Sequence, residues 1–258
     1  MVSRVYYHSS EDMPEVNGAS AKIAIVSPPF TNQADGKTLD KTDYIAFIRR
    51  VFTELHRILT PTGILVTINT DLRDHARYNG GDTRFDGLLW QKHCDIRGVA
   101  ENLGFRCFDT KIWVKSLKQD MYRYTFAYIQ FFRKGDADTR TSIRRRMEPE
   151  FAPHVWLLEK GTLRRDSRSY TFRDAIHPEI VSRCLDRFTV SGDLVISPFV
   201  GSGTVLAVAS LMGRPSIGYE INTFLRPLIE ESIQSSLHFP AYSKLLNRIR
   251  AAGSFSIC

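Results

Sequence analysis

Apolar and polar positions alternate along the 258-residue chain in a way that separates short unbroken apolar runs from longer helical stripes. Ile23-Ala24-Ile25-Val26 is a brief apolar run closed by two prolines, and it predicts a buried strand over 22–26. Tyr44, Phe47, Ile48, Val51, Phe52, Leu55, Ile58 and Leu59 recur at three- and four-residue spacing. They predict a helix with Thr42 as N-cap and Pro61-Thr62-Gly63 as its stop. Residues 63–69 return as a strand, which completes a strand-helix-strand unit. Beyond it, 88–103 reads as a helix and 105–115 with 124–133 as an antiparallel strand pair. A helix over 176–188, a strand ending at Ser197, a helix over 205–212, a strand over 215–219 and a helical tail over 225–250 complete the pattern. Residues up to about 21 carry no periodicity and read as an arm or irregular lead-in. Strands alternating with helices predict an α/β fold, doubly wound around a mostly parallel sheet with an antiparallel edge pair, in a single domain over 1–258.

Composition adds little to the fold and more to the partner. A net charge of +7 favours a polyanionic partner such as nucleic acid. Five of those charges are concentrated in 133–173, where eleven Arg and Lys face six Asp and Glu. Arg144, Arg145, Arg146, Arg164, Arg165 and Arg168 are its candidate phosphate contacts, and Phe151, Trp156 and Tyr170 its candidate stacking rings. A solvated insertion with Trp156 packed inward is the competing reading. Arg73, Arg77 and Arg84, in the polar stretch 71–86, are further candidates against the same alternative. The four cysteines show no paired or zinc-finger spacing, so free thiols in a reduced, cytoplasmic compartment and no metal are expected. No apolar run approaches the length of a membrane span.

Two stretches carry candidate chemistry. Ser27-Pro28-Pro29-Phe30 ends the first strand in a stiff corner, because consecutive prolines remove two backbone donors and fix φ. A hydroxyl, a carbonyl without a sheet partner and a flat ring suit a planar base bearing an amino group, although an ordinary loop would read the same way. Far downstream, Ser197-Pro198-Phe199-Val200-Gly201-Ser202-Gly203-Thr204 runs from a strand through a glycine turn into a helix. No Lys follows Gly203, so the turn is not a Walker phosphate loop.

Together and in this order, the two stretches resemble the amino-methyltransferases of DNA, in particular the permuted beta group, where the catalytic motif precedes the cofactor motif. The resemblance spans about 23–232 and includes His56 to Gly63 and Ile112-Trp113-Val114-Lys115. It implies a Rossmann-like methyltransferase fold and S-adenosylmethionine as the methyl donor. It further implies Ser27, Pro28, Pro29 and Phe30 as the catalytic corner. His177, Pro178, Ser197, Phe199, Gly201, Ser202, Gly203, Thr204, Glu220 and Asn222 would line the cofactor, with Glu220 on the ribose as Gly218-Tyr219-Glu220-Ile221-Asn222 suggests. The family usually carries Asp where Ser197 stands, so a contact to the cofactor's ammonium is missing or supplied elsewhere.

The resemblance makes 134–173 a short target-recognition region and double-stranded DNA the partner, with the protein on the nucleoid. A homodimer and a paired restriction endonuclease stay open. A base inside a duplex cannot reach such a corner, so it must flip out and stack on Phe30. Ser-Pro-Pro favours cytosine N4 over adenine N6 by resemblance alone, since both rings place an acceptor beside the amino group. Competing classes are a protein or RNA methyltransferase and a non-catalytic nucleic-acid-binding module with a decayed cofactor site.

Overall fold

The computed structural model describes residues 3–29, 40–73, 89–116, 125–135, 149–158, 175–234 and 247. Its strands are β1 (Ser3–Tyr6), β2 (Ala21–Val26), β3 (Leu59–Asn69), β4 (Leu72–Arg73), β5 (Leu89–Trp90), β6 (Phe105–Val114), β7 (Phe126–Lys134), β8 (Val155–Leu157), β9 (Leu194–Ser197) and β10 (Ser216–Tyr219). Its helices are α1 (Lys41–Ile58), α2 (Lys92–Asn102), α3 (Pro178–Phe188), α4 (Thr204–Leu211) and α5 (Arg226–Gln234).

Eight strands form one sheet in the order β1-β10-β9-β2-β3-β7-β6-β8, and β4 and β5 make a separate two-stranded ribbon. Every described pairing in the main sheet is parallel except those of β7, which opposes both β3 and β6. The long apolar run of β3 fits this arrangement, because a central strand is covered on both faces. One face carries Ile23, Ile25, Ile64, Val66, Ile129, Phe131 and Val195 against α3, α4 and α5. The other carries Ala24, Val26, Leu65, Phe132 and Ile196 against α1 and α2.

The winding reverses between β2 and β9. From β2 the chain proceeds through α1 to β3 on one side, and from β9 through α4 to β10 on the other. Their parallel pairing, with Ile23 opposite Val195 and Ala24 opposite Ile196, puts both carboxyl ends on one crevice. Open α/β sheets bind ligands at such a reversal.

Several local expectations are corrected. Residues 3–6, read as a lead-in, form edge strand β1 beside β10; a four-residue strand is too short to show a period. The N-cap of α1 is Asp40, whose carboxylate accepts from the Asp43 N–H at 2.8 Å, and not Thr42. Leu59 leaves the helix in extended geometry and pairs with Ala21, so β3 begins four residues earlier than the proline-glycine stop implied. The antiparallel β6–β7 pair is present but is not the sheet edge, because β8 pairs in parallel with β6 outside it.

Candidate active site

The corner after β2 is built from proline chemistry and two helices. Ser27 and Pro29 are half-buried and Pro28 is buried. With no N–H of their own, the prolines cannot extend the β2 ladder, and the Pro29 carbonyl takes side-chain donors instead. Tyr44 Oη of α1 donates to it at 2.9 Å, and Lys92 Nζ of α2 at 3.3 Å. Phe30 lies outside the described residues.

Around this corner stand groups that the sequence pattern did not single out. Asp71, just past β3, accepts from the His93 backbone N–H at 3.1 Å and from its Nδ1 at 2.7 Å. The His93 ring stacks on Tyr128 of β7, with centroids 3.8 Å apart. In the neighbouring strands, Thr67 Oγ1 links Gln130 and Asn69, and Asn69 Oδ1 is buried with no hydrogen-bond partner among the described residues. No signal in the sequence marked these residues, since the stretch from 71 reads as a polar loop and their meeting depends on strand order.

The glycine turn after β9 faces the same crevice. Gly201 and Gly203 hold φ of +54° and +84°, which glycine adopts freely. A Cβ added at Gly201 would meet nothing within 4 Å, so the turn presents open space there. At Gly203 it would stand 3.1 Å from Ser232 Cβ, which fixes α5 against the turn. Ser202 and Thr204 pair their buried hydroxyls at 2.9 Å at the start of α4.

Glu220, at the carboxyl end of β10, spans the turn. Its Oε2 accepts from the Gly201 N–H at 2.8 Å and its Oε1 from the Asn222 N–H at 2.9 Å. Burial raises its pKa, and the N–H groups of Asn222, Gly201 and Ile221 oppose that rise. Beside it, Tyr7, just past β1, lies under the Arg226 guanidinium, 4.3 Å from ring centroid to Cζ. Tyr7 falls in the stretch read as a lead-in, where no pattern of positions pointed to this site.

The other residues expected to line the cofactor make these contacts within the protein. Ser197 is buried and its hydroxyl donates to the Phe199 carbonyl at 3.4 Å, so it stabilises the turn itself. The Phe199 ring leans on Phe47 of α1 at 5.8 Å. His177 caps α3, its Nδ1 accepting from the Glu179 N–H at 3.2 Å, and Pro178 begins the helix where its missing donor is harmless. The Asn222 side chain accepts from the Phe224 N–H at 3.1 Å, so it caps a short turn.

Two of the three proposed stacking rings belong to the core. Phe151 and Trp156 are buried against Phe131, with Lys111 Nζ 4.7 Å from the Phe151 centroid and the Arg183 guanidinium 5.0 Å from that of Trp156. Tyr170 and Arg144, Arg145, Arg146, Arg164, Arg165 and Arg168 lie outside the described residues, as do Arg77 and Arg84. Among the described residues no three His, Cys, Asp or Glu gather as metal ligands, and no helix is long and apolar enough to cross a membrane.

The DNA methylase family model of N6- and N4-methyltransferases matches residues 21–231. Among curated proteins, the type II methyltransferase M.MthZI of Methanothermobacter thermautotrophicus is 25% identical over 91% of this chain and 77% of its own length. M.MjaI of Methanocaldococcus jannaschii is 30% identical over 71% of this chain, which spans 65% of that protein. Among solved structures, TTHA0409, a candidate DNA modification methylase of Thermus thermophilus complexed with S-adenosyl-L-methionine, superposes with a TM-score of 0.70 at 23% identity, covering 92% of this chain and 97% of that one. The PvuII DNA methyltransferase, cytosine-N4-specific, gives 0.64 at 14%, covering 90% and 93%.

Proposed function

The chain belongs to the DNA methylase family of N6- and N4-methyltransferases, and from that premise we propose that it methylates the exocyclic N4 of cytosine in double-stranded DNA. The observation that carries the reading is the parallel pairing of β2 with β9, which brings the Ser27-Pro28-Pro29 corner and the glycine turn to one crevice. S-adenosylmethionine, when bound, supplies an electrophilic sulfonium methyl. The residues fit it in two respects. Open space lies above Gly201, and the Glu220 carboxylate keeps acceptor positions beyond its two backbone bonds.

The target nitrogen is a poor nucleophile because its lone pair is delocalised into the ring. Ser27 Oγ and the Pro28 carbonyl accept its two hydrogens, which favours a pyramidal nitrogen and stabilises the positive charge growing on it. Phe30 stacks on the flipped base. Arg144, Arg145, Arg146, Arg164, Arg165 and Arg168 follow the phosphates. The choice of cytosine over adenine rests on the resemblance of Ser27-Pro28-Pro29 to the family's cytosine enzymes.

Nucleoside mass spectrometry of DNA incubated with protein and S-adenosylmethionine tests the reading. N4-methylcytosine is expected, and Ser27→Ala should lower kcat by roughly 10²-fold, as loss of one pre-aligned polar contact at a reacting centre does. N6-methyladenine as sole product would replace the cytosine assignment, and no methylated nucleoside on any DNA would remove the proposal.

A further inference from the structure

A fully buried lysine is seldom found without a special partner, and Lys92 directs its ammonium at the last carbonyl of the catalytic corner. Lys92 Nζ and Tyr44 Oη donate to Pro29 O at 3.3 and 2.9 Å from two different helices. Both side chains are buried, and Nζ lies 5.1 Å from the Tyr44 ring centroid. Trp90 packs edge-on against Tyr44 at 5.4 Å. The Lys92 and Tyr44 donors hold the carbonyl that directly follows the Ser27 and Pro28 acceptors.

We propose that Tyr44 and Lys92 are positioning residues for methyl transfer, clamping the Pro29 carbonyl so that the Ser27 and Pro28 acceptors meet the target amino group in register. The proposal rests on the methyltransferase reading above. Neither side chain need touch the base, since a peptide plane fixed at Pro29 restricts the torsions on either side of it. A displacement of about 1 Å at a reacting centre suffices to slow a reaction about 10²-fold.

The clamp has a titratable member. Burial brings the Lys92 pKa down to about 7, opposed by the negative charge of Asp71. Burial also raises the Tyr44 pKa, so its hydroxyl remains a neutral donor across the working range. Among the described residues, the charged and titratable groups around Lys92 include Tyr44 on α1, Asp71 past β3, and His93 on α2, which Asp71 holds. Further out, Lys41 of α1 pairs with Asp95 of α2 at 2.8 Å. Below about pH 7 Lys92 is a cation close to a centre that must also accommodate a sulfonium and a growing amine charge. Above it the neutral amine still donates an N–H to Pro29 without that repulsion, so kcat should rise with pH through about 7.

Steady-state methyl transfer to DNA from radiolabelled S-adenosylmethionine, measured from about pH 6 to 9, tests this with wild type, Lys92→Met and Tyr44→Phe. Lys92→Met should lower kcat about 10-fold or more above the limb with KM for DNA and Kd for the methyl donor changed less than about twofold, the signature of an interaction expressed in the transition state. Its limb near pH 7 should vanish. Because methionine removes a charge from an apolar setting, its Tm should be no lower than wild type. Tyr44→Phe should lower kcat by several-fold and keep the limb. An active wild type whose Lys92→Met variant keeps both kcat and the limb overturns the clamp alone, as does a variant whose only change is a lower Tm. A wild type that methylates no DNA overturns the functional reading and the clamp with it.

Discussion

Replacing Glu220 by glutamine keeps the side chain's size and removes its charge, and the structure sets how much that should matter. A carboxylate offers about four lone-pair positions. At least two are taken, by the Gly201 and Asn222 N–H groups at 2.8 and 2.9 Å with the Ile221 N–H nearby, which leaves at most roughly two for ribose hydroxyls. Glutamine has a single acceptor oxygen, and its NH2 must face one of those two N–H groups, donor against donor. Either a bond that holds the glycine turn or a bond to the ribose is lost. A hydrogen bond to a charged group contributes roughly 1.5–3 kcal/mol, so Kd for S-adenosylmethionine should rise by roughly 10- to 100-fold. Calorimetric titration of wild type and variant measures this, with thermal melts to establish that the variant is folded. A folded Glu220→Gln protein with Kd within about twofold of wild type would refute the placement of the ribose, since that change is well under the 1.4 kcal/mol of a tenfold step. The same carboxylate sets a pH dependence of known sign. Burial raises its pKa, so affinity should begin to fall at a pH above the ordinary glutamate range as the acceptor is protonated. Stability of the free protein should respond oppositely, because a raised native pKa contributes stability at low pH that is lost as pH rises through it.

Gly201→Ala and Gly218→Ala separate binding from folding. At Gly201 a Cβ meets only open space, so the variant carries left-handed strain of about 1 kcal/mol and should weaken cofactor binding with a small loss in Tm. At Gly218 a Cβ would stand 2.3 Å from Val200 Cγ2 and 3.0 Å from Leu206 Cδ1, so overpacking should lower stability by about 1–3 kcal/mol and displace the turn from beneath. Melts and titrations of the pair with equal losses in both quantities would contradict the assignment. Trp156→Ala should destabilise by about 3–5 kcal/mol, lowering Tm by roughly 10 °C, and leave the salt dependence of DNA binding unchanged; a flatter salt slope without a Tm change would return Trp156 to the DNA surface.

Much of this protein was legible in its sequence because the signals are local. The apolar stripe of α1, seven of whose eight predicted positions lie on the helix, the proline-closed run of β2 and the glycine turn before α4 each follow from periodicity or backbone freedom within a few residues. Motif order then placed the candidate catalytic corner ahead of the candidate cofactor turn. What the tertiary structure decided is non-local. Ser3–Tyr6 becomes a strand only because β10 leaves an open edge in register with it. Trp156, an aromatic ring in a basic stretch, is a core residue because β8 docks on β6 and packs it against Phe131, with Phe151 beside both rings. Lys92, which charge alone would assign to the surface, is buried because α2 packs beside α1 and its ammonium meets the Pro29 carbonyl there. A chain can encode which segments are strands and helices through spacing, but which side chains meet at the crevice depends on strand order, and that is settled only when distant segments bury their apolar faces together.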